Sequence, residues 1–174
     1  MSASDSEQAR RIVALEKQVH DLMRDTHPRH HRARAATATA QSIPNTTPTI
    51  VDYNIVTFDA DSHLTTGAAW RFTAKVAGYY QVNAAILFAA TTTWALVEWG
   101  NLALYKNAVY YSNFERADGM DSSAAGLFKC LRGSDVVQLA VGDSIDVRAS
   151  HISGGALTLF NGAVFNYVSI AKVN

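Results

Sequence analysis

The sequence contains one cysteine, Cys130, so neither an intrachain disulfide nor a cysteine-based zinc site can form. It also lacks an excess of charge, because 15 Lys and Arg residues balance 15 Asp and Glu residues. Binders of nucleic acid or membrane surfaces carry a basic excess, so we expect neither kind of partner. No apolar run approaches the roughly 20 residues of a membrane span. The first residues lack the pattern of a secretion signal, so none is expected.

Charged residues are scarce in this chain. They make up 17% of the 174 residues, against about 25% in an average soluble domain. Hydrophobic residues make up 48%, and seven Phe, seven Tyr and three Trp exclude a wholly disordered chain. A small domain of this composition has few side chains suited to a solvated surface. We therefore predict that further copies of the chain cover part of it.

Residues 1–25 are predicted to form an N-terminal helix, since no helix breaker occurs before Pro28. Its apolar residues follow the a and d spacing of a coiled coil, at Ile12, Leu15, Val19 and Leu22. A helix of two heptads is marginal alone in water. We expect a stem that associates with its own copies or docks on another protein. The alternative is an amphipathic helix that folds back onto the domain.

Residues 26–34 are predicted to be a basic linker, with three Arg, three His and one Pro. His27, His30 and His31 do not match a zinc-ligand spacing on one helix face. A solvated linker, or a contact to an acidic neighbour, is therefore favoured over a metal-binding or anion-binding collar. We predict no metal and no cofactor.

The remaining residues, 35–174, show the period-two alternation of half-buried strands. The alternation is plain in four stretches: Val51–Ile55, Tyr80–Phe88, Val137–Val141 and Ile145–Ala149. Turn signals such as Gly142-Asp143 and Ser153-Gly154-Gly155 separate the runs. The pattern predicts an all-β sandwich or jelly roll of about ten strands, which we call the knob.

The last predicted strand, Ala163–Val173, carries apolar residues on both faces. In a two-layer fold a strand buries one face within its own chain, so a neighbouring subunit is expected to cover the other. We predict a seam between subunits that includes Phe165, Tyr167, Val168 and Ile170.

Aromatic residues are concentrated in one stretch of the sequence. Five of them could stack on sugar rings or anchor a partner: Trp94, Trp99, Tyr110, Tyr111 and Phe114. The favoured interpretation is that such large side chains fill the core or a subunit seam. Both interpretations stay open at this point.

Two motifs suggest site chemistry that the sequence does not complete. Gly142-Asp143-Ser144 is similar to the serine block of an esterase family, but no Asp-x-x-His follows to supply a base. We expect no enzyme, and a hydrolase using Ser144 and His151 is a remote alternative. Asp59, Asp61 and His63 could ligate calcium, but a polar turn has the same composition and is the favoured interpretation.

Phe72, in the segment that begins at Trp70, stands six residues before Gly78 in the run Ala77-Gly78-Tyr79-Tyr80. This pattern resembles a strand entry of the C1q/tumour-necrosis-factor superfamily, and the resemblance covers residues 33–174. Residues 102–107 resemble its hairpin ending in Lys-Asn, and residues 139–147 resemble its Gly-Asp turn. The segments 36–46 and 56–59 are similar to C1q-like domains of bacteriophage tail and head fibre proteins.

The resemblance implies a C1q-like jelly roll that assembles as a homotrimer. It further implies a non-enzymatic structural protein on a virion surface, a fibre knob or decoration protein, whose stem attaches to capsid or tail proteins. The alternative is a tail adhesin that binds a host cell-wall glycan or receptor. The chain departs from the animal secreted members in lacking a collagen stalk and paired cysteines. Ala108 also stands where a glycine often follows the hairpin Asn.

Overall fold

The computed structural model describes residues 3–26, 31–37, 39–89, 97–118 and 128–173. Helix α1 spans Ala3–Thr26, close to the predicted 1–25. Within the described residues thirteen strands follow it: β1 Arg32–Ala36, β2 Ser42–Ile43, β3 Thr49–Ile50, β4 Ile55–Asp59, β5 Leu64–Thr65, β6 Arg71–Thr73, β7 Gly78–Phe88, β8 Trp99–Lys106, β9 Val109–Asp118, β10 Lys129–Leu139, β11 Ser144–Ile152, β12 Leu157–Thr158 and β13 Tyr167–Lys172. No described helix has the length and apolar content that a membrane span requires.

The strands form a two-sheet antiparallel sandwich, which confirms the predicted all-β class with one N-terminal helix. One sheet has five strands in the order β10-β7-β13-β1-β4. The other has six, in the order β5-β6-β11-β8-β9 with β3 paired to β11. A small two-stranded sheet joins β12 to β2. The first and last strands of the sandwich are neighbours, because β1 pairs with β13 in register from Arg32 and Ala171 onward.

The core lies between the two sheets, where the alternating apolar residues of each strand meet. Its five largest fully buried side chains are aromatic: Tyr53, Trp70, Phe72, Tyr80 and Phe88. Four of them form two edge contacts, Tyr53 with Trp70 at 5.1 Å and Phe72 with Tyr80 at 5.4 Å between ring centroids. The Tyr80 hydroxyl donates a hydrogen bond of 2.7 Å to the Val76 carbonyl. Burial raises the pKa of Tyr80 to about 12, so this hydroxyl keeps its proton at neutral pH.

The last strand is shorter than predicted and buries only one face. Val164 and Phe165 lie in a turn before β13. The turn is fixed by the buried Asn166, whose Oδ1 accepts a hydrogen bond of 2.8 Å from the Leu87 amide. Val168 and Ile170 are 1% and 2% exposed and belong to the core of their own chain. Their assignment to a subunit seam is therefore wrong, because β13 is a central strand that turns them inward.

Two further boundaries differ from the sequence-based expectation. The predicted strand Val51–Ile55 has no regular strand pairing before Ile55, although Val51 and Tyr53 are fully buried. The alternation of this segment therefore indicates which side chains are buried and does not indicate that its backbone pairs with another strand. The knob also begins earlier than residue 35, since β1 starts at Arg32 and His31 is already buried. Residues 31–34 of the predicted linker thus belong to the knob, and residues 27–30 lie outside the described residues.

Candidate functional site

The stem presents its apolar stripe to solvent. Ile12, Leu15, Val19 and Leu22 are 50% to 63% exposed. Every other side chain described between residues 6 and 23 is exposed as well, except for the half-buried Asp21. The stripe is therefore not buried against the described part of the knob. This disfavours the alternative in which the helix folds back onto the domain. An exposed stripe of this length is a surface for association.

The outer face of the five-stranded sheet, which points away from the core, is almost free of charge along its two central strands. On β7 and β13 it is made of Tyr79, Gln81, Asn83, Ala85, Leu87, Tyr167, Ser169 and Ala171. None of these is acidic or basic, and the residues that alternate with them lie in the core. Charge enters from the two flanking strands: Arg32 and Arg34 on β1 lie opposite Ala171 and Ser169, and Arg132 on β10 lies opposite Ala85. The Arg34 guanidinium lies 5.1 Å from the centre of the Tyr167 ring.

Three phenylalanines extend this uncharged surface at one end. Phe160 contacts Phe128 and Phe165 edge-on, with ring centroids 5.4 Å and 5.5 Å apart. Its amide donates to the Leu87 carbonyl, which places the cluster at the end of β7. Phe128 and Phe165 are about half exposed. Of the predicted seam residues, Phe165 and Tyr167 thus lie at or beside the outer face.

The outer face of the six-stranded sheet is different because it carries paired charges. Arg148 contacts Asp146 with a hydrogen bond of 2.6 Å, and its guanidinium lies 4.0 Å from the centre of the Tyr105 ring. The Arg116 guanidinium lies 4.7 Å from the ring centre of Trp99. The Arg148–Asp146 pair is largely shielded, with side chains 20% and 11% exposed, whereas Arg116 and its partner Asp118 are 53% and 69% exposed. The two outer faces therefore differ, because one has no charged residue on its two central strands and the other carries paired charges.

The predicted aromatic group does not form a single cluster. Trp94 lies outside the described residues. Tyr110 and Tyr111 are about half exposed on β9, and Tyr110 contacts Tyr105 edge-on. Phe114 instead packs against the core, over Gly133, where a Cβ atom would come within 2.7 Å of the Phe114 side chain. The Arg116 guanidinium stacks on the Trp99 ring. Among the described members of the group, Tyr110 and Tyr111 are therefore the exposed ones.

The two sequence motifs of the hairpin and the Gly-Asp turn meet in space. Asp143 accepts a hydrogen bond of 2.8 Å from the Asn107 side chain and lies 2.9 Å from the Lys106 ammonium. The Asn107 side-chain oxygen accepts from the Ser144 amide at 2.8 Å. The hydrogen bonds from Asn107 and Lys106 hold the pKa of Asp143 far below its usual range. The two motifs thus form one polar contact between the end of β8 and the start of β11, which we call the hairpin latch.

The hairpin yields a stability prediction, because Asn107 and Ala108 both have positive φ angles of 50° and 63°. A left-handed conformation costs a residue with a Cβ atom roughly 1–2 kcal/mol. We expect Ala108→Gly to stabilise the knob by about 1 kcal/mol, or roughly 2–4 °C in Tm, measured by thermal unfolding. Ala140→Gly, in an exposed turn at ordinary φ, is the matched control and should not stabilise. An unchanged or lower Tm for Ala108→Gly would contradict the strain.

The remote hydrolase hypothesis finds no support in the geometry. Ser144 and His151 lie at opposite ends of β11, seven residues or roughly 23 Å apart. An odd separation also places them on opposite faces of the strand. The His151 ring is buried, with Nε2 2.8 Å from the Ile43 carbonyl and Nδ1 3.0 Å from the Ser153 hydroxyl. His151 therefore cannot serve as a base for Ser144.

A buried polar cluster joins the start of the knob to the turn after β4. Asp61 Oδ2 lies 3.0 Å from His31 Nδ1 and 3.9 Å from His63 Nε2. His31 and His63 are 3% and 2% exposed. The Lys75 ammonium donates to the Asp61 backbone carbonyl and helps to hold the turn. Three side chains that can each offer one ligand atom to a metal ion are thus gathered at one point of the fold.

The surroundings of His63 fix its tautomer. Its Nδ1 lies 2.9 Å from the Thr73 carbonyl, which can only accept, so Nδ1 carries the proton and Nε2 the lone pair. The ring stacks on Phe72 with 4.7 Å between ring centres. Burial lowers the pKa of His63 and favours the neutral ring. The lone pair of a neutral imidazole therefore faces the Asp61 carboxylate.

The sequence grouped these residues differently. Asp59, considered there as a calcium ligand with Asp61 and His63, uses its carboxylate to accept hydrogen bonds from the amides of His63 and Leu64, at 2.8 Å and 2.9 Å. His31, placed there in the linker, is the group that Asp61 contacts. The signal in the sequence that extends the first strand toward His31 is the alternation of Arg32 and Arg34 with Ala33 and Ala35.

The fold is similar to solved structures of tumour-necrosis-factor and C1q proteins. Eiger TNF from S. frugiperda matches with a TM-score of 0.58 at 14% identity, over 82% of this chain and 92% of that chain. Murine APRIL matches at 0.54 and 12%, over 82% and 98%. The globular domain of zebrafish complement 1qA protein matches at 0.55 and 15%, over 83% and 98%.

Comparison of the sequence itself gives no relative: no family model matches it, and no curated protein does. At identities of 12% to 15% the structural likeness shows the fold alone. It confirms the predicted TNF/C1q-like jelly roll.

Proposed function

We propose that this chain is a non-enzymatic structural protein of a bacteriophage virion, a homotrimeric surface knob or decoration protein anchored by its N-terminal stem. The observation that carries the proposal is the exposed stripe of α1 on a chain whose other part is a closed jelly roll. The stripe is unsuited to standing alone in water, whereas the knob has a complete core. A protein built in this way can attach through the stem and display the knob.

The trimer is supported by the contrast between the two outer faces. A sheet face with no acidic or basic residue on its central strands can be desolvated at little electrostatic cost. The small side chains of Ser169 and Ala171 let another subunit approach closely, and Tyr79 and Tyr167 supply large contact surfaces. The charged outer face of the six-stranded sheet has neither property. The five-stranded sheet therefore faces the other two subunits.

The bacteriophage context rests on the resemblance of residues 36–46 and 56–59 to C1q-like domains of phage fibre proteins. The low content of charge and the single cysteine are compatible with a knob held together by its own copies rather than by covalent links. The virion surface is the location that follows, with capsid or tail proteins as partners of the stem. Neither nucleic acid nor membrane is needed as a partner.

The trimer is tested by mass in solution. We expect light scattering to give three times 18.9 kDa at micromolar concentration. Ser169→Arg, at the centre of the uncharged face, should yield a folded monomer, because three guanidinium groups would be buried without partners. Asn113→Arg, exposed on the six-stranded sheet, is the matched control and should remain trimeric. A monomeric wild type would overturn the trimer, and a trimeric Ser169→Arg would overturn this seam.

A tail adhesin that binds host glycan is the second candidate function. It is favoured by the exposure of Tyr110 and Tyr111, since aromatic rings stack on the apolar faces of sugars. If the knob is an adhesin, Tyr110→Ala with Tyr111→Ala should abolish adsorption of particles to host cells while leaving the trimer intact. If it is a decoration protein, adsorption should be unchanged and particle stability should fall when the whole knob is removed.

A further inference from the structure

We propose that His31, Asp61 and His63 bind one divalent first-row transition metal ion of the zinc class, between the start of β1 and the turn after β4. The sequence alone led us to expect no metal, because it placed His31 in a solvated linker. Folding brings His31 next to a pair of residues about thirty positions away. The proposal rests on the positions, burial and chemistry of these three side chains and does not depend on the trimer.

The donor atoms are close to the spacing that a zinc ion requires. They all lie within 4.8 Å of one another. The Asp61 Oδ2 atom is 3.0 Å from His31 Nδ1 and 3.9 Å from His63 Nε2. Tetrahedral bonds of about 2.0–2.1 Å place two ligand atoms about 3.3 Å apart. Closing the site therefore needs side-chain movements of about 1 Å. The Asp61 side chain is 29% exposed and is free enough to make them.

The groups around His63 orient it as a ligand. Metal-binding histidines donate their second ring N–H to a carbonyl or carboxylate, as Nδ1 does here to Thr73. Stacking on Phe72 restrains the rotation of the ring. Among the described residues none forms a hydrogen bond with the buried Nε2 atom. A buried polar atom without such a bond is costly, and a bound cation would satisfy it.

The donor set decides which ion fits. Two imidazoles and one carboxylate suit zinc and its neighbours among the transition metals, whereas calcium and magnesium prefer oxygen ligands alone. Asp59, the other carboxylate of the turn, is engaged by two backbone amides. Water can complete the coordination through the exposed side of Asp61. A bound ion would fasten the first strand of the knob to the turn after β4, through a histidine five positions after the last residue of α1.

The test uses the untagged full chain, stripped of metal with a chelator. Calorimetric titration with zinc sulfate should show one ion per chain, and the Tm should rise with zinc concentration because the folded state binds the ion. Cobalt(II) should give the visible absorption of a four-coordinate or five-coordinate site. Asp61→Asn and His63→Gln should each weaken zinc binding by more than the roughly 10–100-fold cost of losing a group that only orients a ligand.

Two controls separate this site from other histidines. His20→Gln, on the exposed stem, should bind zinc like the wild type. The double variant His27→Gln/His30→Gln should do the same, and loss of binding there would assign the ion to the His-rich segment and overturn the proposal. Absence of zinc binding, or normal binding by Asp61→Asn, would also overturn it. Asp61→Asn keeps the test decisive if His63→Gln does not fold, because Asp61 is the partly exposed member.

Discussion

Ile170→Asp is expected to unfold the knob rather than to separate folded subunits. Ile170 is 2% exposed in the core, on the strand between β7 and β1. An aspartate there loses the apolar contacts of isoleucine and buries a charge with no partner. Such a substitution is expected to lower the free energy of unfolding by more than about 4 kcal/mol. The total free energy of unfolding of a domain is about 5–15 kcal/mol. We expect loss of the near-ultraviolet circular dichroism of the knob and of its cooperative thermal transition.

The neighbouring position provides the matched control. Ser169 lies one residue away on the same strand, but its side chain points to the outer face of the five-stranded sheet. Ser169→Asp introduces the same charge and should give a folded chain with a cooperative transition, changed only in its association. Ile170→Val should cost about 0.5–1.5 kcal/mol and remain folded. A soluble, folded Ile170→Asp variant would show that Ile170 is not a core residue.

The contrast between Ser169 and Ile170 shows where sequence reasoning succeeds and where it stops. Alternation identified Tyr80–Phe88 and Ile145–Ala149 as strands, since one face of each must be buried. It could not say what covers a second apolar face. The run Ala163–Val173 looked doubly apolar because it merges a turn with a strand. The break between them depends on Asn166, whose side chain bonds to Leu87, far away in the sequence.

The histidine cluster is a similar case at the other end of the chain. Asp61 and His63 are close in the sequence, and the polar turn around them was predicted. His31 joins them only because β1 pairs with β4, which brings Ala33 opposite Asp59. No local spacing encodes this pairing, so a ligand set divided between two strands has no motif. The hairpin latch was found more easily, because Lys106-Asn107 and Gly142-Asp143 each carry a local turn signal.

Removing residues 1–30 is expected to leave a folded, trimeric knob that no longer enters particles. The truncation keeps His31, whose carbonyl accepts a hydrogen bond of 2.9 Å from the Lys172 amide, and it keeps all of β1. The core residues of the knob start at Ala33. The Tm of the knob should therefore stay close to that of the full chain. Light scattering should still show a trimer, because the stem's two heptads contribute little association of their own.

The stem's apolar stripe is expected to be the part that particles require. Leu15→Asp places a charge in the middle of the stripe and should reduce incorporation as strongly as the truncation does, since a docked stripe has no water to solvate it. Lys17→Asp changes charge away from the stripe and should preserve incorporation. Copies per purified particle, counted by quantitative mass spectrometry, give the measurement. Normal copy numbers for both the truncation and Leu15→Asp would place the anchor in the knob, where the uncharged sheet face would then have to serve a virion protein instead of two further copies of this chain.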